Sequence, residues 1–304
     1  MKKNFLLVLL CMMASVLPAQ KKMYVWQGNT PVEFEVLTVD SVTFADAVTE
    51  PAKPLPETLS GVFSVSEEMQ VQFSRGNLQY TQSTQTWAFA AQQYEILGTA
   101  NFANGALADK IDLFGWSGST ATAQWGISTS TSTADYSGDF VDWGKNIGDG
   151  ATWRTLTKDE WKYLLNTRTN ASTLKGVARI NLNADGSEYV NGLILLPDNW
   201  TAPEGVTFKS GNASSSSIQA YADHQTFTLE EWSKLEAAGA VFLPASGYRS
   251  VSSVYAVQYY SYYWSASPSS SNYAYRLYFS SLSTGIDDTL RYYGQAVRLV
   301  KDVK

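Results

Sequence analysis

The side chains of this chain best suited to chemistry are phenols and hydroxyls, and they crowd one end. From Val241 to Lys304 lie eleven of the eighteen tyrosines and thirteen serines, with no Glu, Met or Cys and no Lys before Lys301. Clusters such as Tyr259-Tyr260-Ser261-Tyr262-Tyr263 and Ser269-Ser270-Ser271-Asn272-Tyr273 offer no base beside a nucleophile, which covalent catalysis requires. They suit recognition instead. Tyr gives a large, rigid, amphipathic contact for two side-chain torsions, and Ser and Asn add adaptable hydrogen bonds.

The candidate contact positions are those that face outward or lie in loops. They are Ser250, Ser252, Ser253 and Tyr255, then Tyr259, Tyr260 and Tyr262, then Ser270, Asn272, Tyr273 and Tyr275. Tyr278, Ser280, Asp287, Asp288, Tyr292 and Tyr293 complete the set, while Trp264, Leu277, Phe279, Val297 and Leu299 are assigned to the core. Tyr alternating with small residues also suits an ordinary half-buried β face. Exposure of these tyrosines therefore separates a contact surface from plain sheet.

Other chemistries have little material. One His, His224, and one Cys, Cys11, allow neither a His-cluster metal site nor a Ser-His-Asp arrangement. His224 sits in a polar stretch, as a surface or capping residue. Asp135, Asp139 and Asp142 could hold Ca²⁺ through oxygen ligands, but their spacing matches no EF-hand loop. Paired carboxylates, P-loop and dinucleotide fingerprints do not stand out, so no catalytic residue, metal or cofactor is expected. A net charge of −6 with no basic stripe argues against a nucleic-acid partner.

The elements that must position these residues begin with a leader. Lys2-Lys3, the apolar run Phe5–Leu17 and Pro18-Ala19 read as a secretory signal peptide over residues 1–19, which leaves no transmembrane span in the mature chain. Cys11 lies inside that run, preceded by Leu10 where a lipobox wants a small residue. Tyr24 and Trp26, then Val32, Phe34 and Val36, alternate around Gly28-Asn29 and predict a hairpin unit over 20–46, with a third strand at Val42–Phe44. Residues 47–60, with Pro51, Pro54 and Pro56, read as a linker.

The main body, 61–304, should hold two capped helices. Thr157 and Glu160 form a T-x-x-E box before Lys158–Thr167, and Thr228 and Glu231 repeat it before Leu229–Ala238. Trp161 and Trp232 mark their buried faces. Strand patterns recur at 62–73, 78–80, 87–89, 177–182, 192–197, 241–244, 263–266, 275–279 and 296–300. Asn101–Gly150 reads as long ordered loops anchored by Asp112-Leu113-Phe114-Gly115-Trp116. Two helices among many short strands give an α+β class.

Trp153-Arg154-Thr155-Leu156-Thr157-Lys158-Asp159-Glu160-Trp161 resembles the helix entry of the formylglycine-generating-enzyme type of C-type lectin fold. Leu195-Leu196-Pro197-Asp198-Asn199-Trp200, Leu243-Pro244-Ala245-Ser246-Gly247-Tyr248-Arg249, Tyr263-Trp264-Ser265-Ala266-Ser267 and Gly294-Gln295-Ala296-Val297-Arg298-Leu299-Val300 follow in that family's order. Val39–Phe44 and Val71–Tyr80 look like exported proteins of gut Bacteroidetes. The resemblance implies a C-type lectin-like domain without the family's enzymatic cysteines. The E-P-N or Q-P-D and W-N-D triplets of calcium-dependent sugar binding are also missing.

The C-terminal segment resembles the variable proteins of diversity-generating retroelements, whose lectin-fold surface is rewritten at adenines. An AAC or AAT codon altered at its adenines can give Asn, Tyr, Ser, Asp, Thr, Gly and several others, but not Lys, Glu, Gln, Met or Trp. Ser246–Ala296 contains no Lys, Glu or Met, and Trp264, Gln258 and Gln295 would be framework positions. The expectation is an exported, non-enzymatic protein that binds a protein or surface-glycan ligand through residues 246–296. The alternative is a structural or adhesin-like surface component without a dedicated variable site.

Overall fold

The computed structural model describes residues 22–27, 30–35, 57–148 and 153–303. The chain divides into two compact units, Met1–Leu55 and Pro56–Lys304. In the first, β1 (Lys22–Gln27) and β2 (Thr30–Glu35) pair antiparallel from Lys22↔Glu35 to Gln27↔Thr30, the hairpin that the alternation predicts. The leader 1–19, the third strand at Val42–Phe44 and most of the linker lie outside the described residues.

In the second unit β-pairing starts earlier than Gly61. Thr58 bridges Ser74, and the Leu59 amide donates to the Phe73 carbonyl at 2.9 Å. Leu59 also packs against the core, which draws the end of the expected linker into the domain. Strands β3 (Phe63–Ser64) and β4 (Gln70–Phe73) flank the Glu67-Glu68 turn, and β5 (Leu78–Thr81) and β6 (Thr86–Phe89) form the next hairpin. Three two-residue strands follow: β7 (Phe102–Ala103), β8 (Ala106–Leu107) and β9 (Lys110–Ile111). From there to Gly148 the described chain is loops and single 3₁₀ turns, pinned by the fully buried Trp116, Tyr136 and Trp143.

After β10 (Arg154–Thr155) comes α1 (Lys158–Lys162). The Thr157 hydroxyl accepts from the Glu160 amide, and the Thr157 amide donates to the Glu160 carboxylate, so both halves of the capping box form. The helix then widens into a π turn over Tyr163–Thr167. The Arg168 amide donates to the Tyr163 carbonyl, and the Arg168 and Lys175 side chains bond the carbonyls of Leu164 and Leu165 that the wide turn frees.

Strands β11 (Lys175–Asn181) and β12 (Tyr189–Leu195) are central to a four-stranded sheet, order β13-β11-β12-β14. Its edges β13 (Thr226–Phe227) and β14 (Val241–Pro244) bracket α3 (Leu229–Ala237), whose capping box also forms. One element was not expected. Ile218–His224 is a helix, α2, with the Ser217 hydroxyl accepting from the Ala220 amide. Seven residues give too few turns for a readable period. Its fully buried Tyr221 holds it down, and His224 is buried rather than a surface residue.

The rest of the chain forms β15 (Tyr248–Ser250), β16 (Ser253–Tyr255), β17 (Tyr260–Pro268), β18 (Tyr273–Ser280), β19 (Thr284–Leu290) and β20 (Leu299–Asp302). Strand β20 returns to pair with β4 and β10, closing the unit end to end. The content is mixed α and β, with several small sheets. Among the described residues no helix is long and apolar enough to cross a membrane.

Candidate ligand-binding surface

Strands β17, β18 and β19 form an antiparallel meander. Successive residues of a strand point to opposite faces, so its register sorts the tyrosine-rich segment. The row Tyr263↔Leu277↔Ile286 faces inward, and Tyr263, Leu277 and Phe279 are fully buried. Tyr263 is locked there, donating to the Pro244 carbonyl at 3.1 Å and accepting from Asn77 at 3.2 Å. Trp264 donates to the Phe114 carbonyl at 2.7 Å, and Val297 and Leu299 are also fully buried. All five residues assigned to the core are in it.

The outward row is Tyr262↔Tyr278↔Gly285. The Tyr278 ring lies over Gly285, where an added Cβ would come within 2.9 Å of the phenol oxygen. One step along, Arg276 clasps Asp287 at 2.8 and 3.3 Å, and its guanidinium stacks 3.9 Å from the Tyr262 ring centroid. That pair neutralises the two charges on this face.

The hairpin β15–β16 supplies the second part. Its turn, Val251-Ser252, has Val251 at φ +51°, a left-handed backbone that is costly for a β-branched residue. Register Tyr248↔Tyr255 stacks those two rings at 5.6 Å. Tyr248 also meets Tyr262 at 5.5 Å and Tyr293 at 5.6 Å, both edge to face. Tyr293 reaches Tyr292 at 4.7 Å, Tyr262 reaches Tyr260 at 6.3 Å, and Tyr260 reaches Tyr259 at 4.3 Å. Seven tyrosines, 248, 255, 259, 260, 262, 292 and 293, are thus joined ring to ring at centroid spacings at which aromatic pairs attract.

None of the nine candidate tyrosines is buried. Tyr255 and Tyr273 are exposed, and Tyr259, Tyr260, Tyr262, Tyr275, Tyr278, Tyr292 and Tyr293 are half-buried. Partial burial pushes the Tyr262 hydroxyl pKa up despite the opposing pull of Arg276, so it remains a neutral donor. The Tyr259 hydroxyl lies 3.0 Å from that of Ser216. Ser252 and Ser253 are exposed at the hairpin tip, and Ser250 is half-buried beside them.

Several candidates do not belong to this face. Ser280 is buried, its hydroxyl accepting from the Leu282 and Ser283 amides to close the β18–β19 turn. Tyr275 and Asp288 pair across β18 and β19 on the opposite side of the sheet, where the Lys158 ammonium sits 4.7 Å over the Tyr275 ring. Ser270 and Asn272 line a separate open cleft of about 680 Å³ with Asp139 and Arg291. Tyr273 follows that turn, exposed.

Two members of the face escaped the sequence reading. Tyr248, the hub of three ring contacts, sits inside the Leu243–Arg249 run that reads as scaffold. Arg276 is not among the candidate contacts, although its two-residue offset from Tyr278 places it on the same face as that residue. The loop aspartates are also dispersed. Asp135 takes the Thr122 hydroxyl, and Asp142 caps Gly144 and bonds the Thr155 amide and hydroxyl. No group of three His, Cys, Asp or Glu residues gathers among the described residues.

The face offers neutral phenols, hydroxyls and one balanced ion pair on a stiff sheet. That arrangement can hold a ligand by packing and hydrogen bonds. No family model, curated relative or solved structure matches the chain.

Proposed function

We propose that this is an exported, non-enzymatic binding protein, built on a C-type lectin-like domain, that holds a protein or surface-glycan ligand on its tyrosine face. The observation that carries the reading is the ring-to-ring network of seven tyrosines, six of them candidates by composition, none of them buried and Tyr255 exposed. Rigid aromatic anchors on a preformed scaffold lose little freedom on binding, so more of the contact energy appears as affinity. The order of the lectin-type motifs along the chain supports the fold assignment.

Adenine-directed diversification of residues 246–296 is part of the proposal. Its support is compositional: the outward positions carry Tyr, Ser, Asp, Gly and one Arg, all reachable from such codons, whereas Trp264 and Gln258 hold buried or locking positions. Gln258 accepts from the Asn191 amide at 2.7 Å and donates to the Tyr189 carbonyl at 3.2 Å. The flanking DNA tests it. A near-copy of the 3′ coding end, differing at adenines and lying beside a reverse transcriptase gene, is the expected finding.

The binding reading is tested by screening the purified protein against glycan and cell-surface protein arrays, beside a variant with Tyr259, Tyr260 and Tyr262 all changed to Ala. The variant should keep its far-UV circular dichroism and lose the hits. A folded variant that retains every hit would show the face to be ordinary sheet.

A further inference from the structure

Arg249 follows the tyrosine hub directly, and its side chain is wholly buried. Its backbone is fully used: the amide donates to the Gly294 carbonyl at 2.7 Å, and its carbonyl accepts from the Gly294 amide at 2.9 Å. Its guanidinium is not. Nε, Nη1 and Nη2 make no well-directed hydrogen bond among the described residues; the polar group set beside them is the neutral Tyr136 phenol, and no carboxylate pairs with them there.

The packing explains why the side chain cannot leave. The antiparallel bridge Phe114↔Gln295 sets Gly115 and Gly294 side by side, facing away from those two side chains. The Tyr136 ring lies over Gly115, where a Cβ would meet it at 2.2 Å. Arg249 lies over Gly294, where a Cβ would fall 2.4 Å from Nε and 2.9 Å from Cζ. The two glycines make a shallow bed in which a phenol and a guanidinium lie together. The Tyr136 hydroxyl donates to the Ser130 carbonyl at 2.8 Å, which leaves its oxygen to face the guanidinium as a neutral acceptor. Burial pulls the Arg249 pKa down, but a guanidinium does not lose its proton in a protein. A fixed charge whose neighbour is a neutral phenol is costly away from water unless something neutralises it.

We propose that Arg249 holds a small monovalent anion of halide size inside the domain, beneath the hairpin that carries Tyr248. The anion neutralises the guanidinium and takes its free N–H groups. By fixing Arg249 it also fixes the strand that presents the hub of the tyrosine face. The site is independent of what that face binds.

The test uses the purified full chain in sodium chloride, sodium bromide and sodium gluconate at equal ionic strength, with crystals grown in bromide. Thermal unfolding should rise by about 3 °C in either halide over gluconate and saturate with concentration. Anomalous diffraction should place a bromide within hydrogen-bond distance of Arg249. Arg249→Met should abolish the halide dependence. If that variant does not fold, the two measurements on the native protein decide alone. Coincident midpoints in halide and gluconate, or bromide absent from Arg249, overturns the proposal.

Discussion

Tyr248 and Asp112 show how much a single side chain decides here. Tyr248 stacks on Tyr255 across its own hairpin and ties that hairpin to β17 and to the Tyr292-Tyr293 turn through two further ring contacts. Removing them by Tyr248→Ala should cost about 1–3 kcal/mol of stability, read from the urea midpoint. Tyr292→Ala, which loses one ring contact, should cost less. Asp112 is fully buried, accepting from the Leu97 amide at 2.9 Å and from Asn101 at 2.7 Å. Desolvation outweighs those bonds and pushes its pKa up to about 6. A carboxyl raised in the folded state binds its proton more tightly there than in the unfolded chain. Its contribution is therefore full below about pH 4 and is lost as pH rises through about 6, an effect of about 3 kcal/mol. Urea midpoints across pH 4–7 should show that decline. Asp112→Asn should flatten it, at the cost of lower stability overall, because one amide group cannot accept both bonds.

At the scale of elements, alternation along β18 separates what holds the fold from what faces outward. Leu277 lies in the inner row and Tyr278 in the outer. Leu277→Ala should cost about 2–5 kcal/mol, as large-to-small core changes do, whereas Tyr278→Ala should cost under about 1 kcal/mol. Equal losses in denaturant titrations would mean that the register has been misread. The capping boxes give a second check: Thr228→Ala should lower stability by about 1 kcal/mol through the lost N-cap of α3. These elements were legible because their signals are local. A T-x-x-E box, a buried Trp on a helix face and an alternating run each identify their own element. The helix at Ile218–His224 and the π turn after Lys162 were not legible. The first is too short for a period, and the second depends on Arg168 and Lys175 reaching back to free carbonyls. The same limit applies to the site. Composition found six of the seven linked tyrosines. Alternation alone sets Tyr275 on the side of Leu277, but the sequence could not pair Asp288 with it, see Ser280 closing a turn, or see that Tyr248 is the hub, because those facts depend on pairing register.

On the scale of the whole molecule, the tyrosine-rich end of the chain is held on a scaffold built from both ends of the second unit. Strand β20 closes onto β4 and β10, and the loops between Asn101 and Gly148 pack Trp116, Tyr136 and Trp143 behind the face. Such a scaffold can keep its core while the outward residues change, which is what a diversified binding surface requires. Two places could receive the ligand: the tyrosine face, or the polar cleft at Ser270 and Asn272. The most direct measurement is the affinity for the strongest array hit, by biolayer interferometry, of the native protein, the Tyr259/Tyr260/Tyr262→Ala variant and a Ser270/Asn272→Ala variant. Each fold would be checked by circular dichroism. The account predicts a loss of at least about 100-fold for the tyrosine variant, since hot-spot aromatics carry about 2 kcal/mol or more each, and little change for the cleft variant. Unchanged affinity in the folded tyrosine variant, with binding lost in the cleft variant, would contradict it.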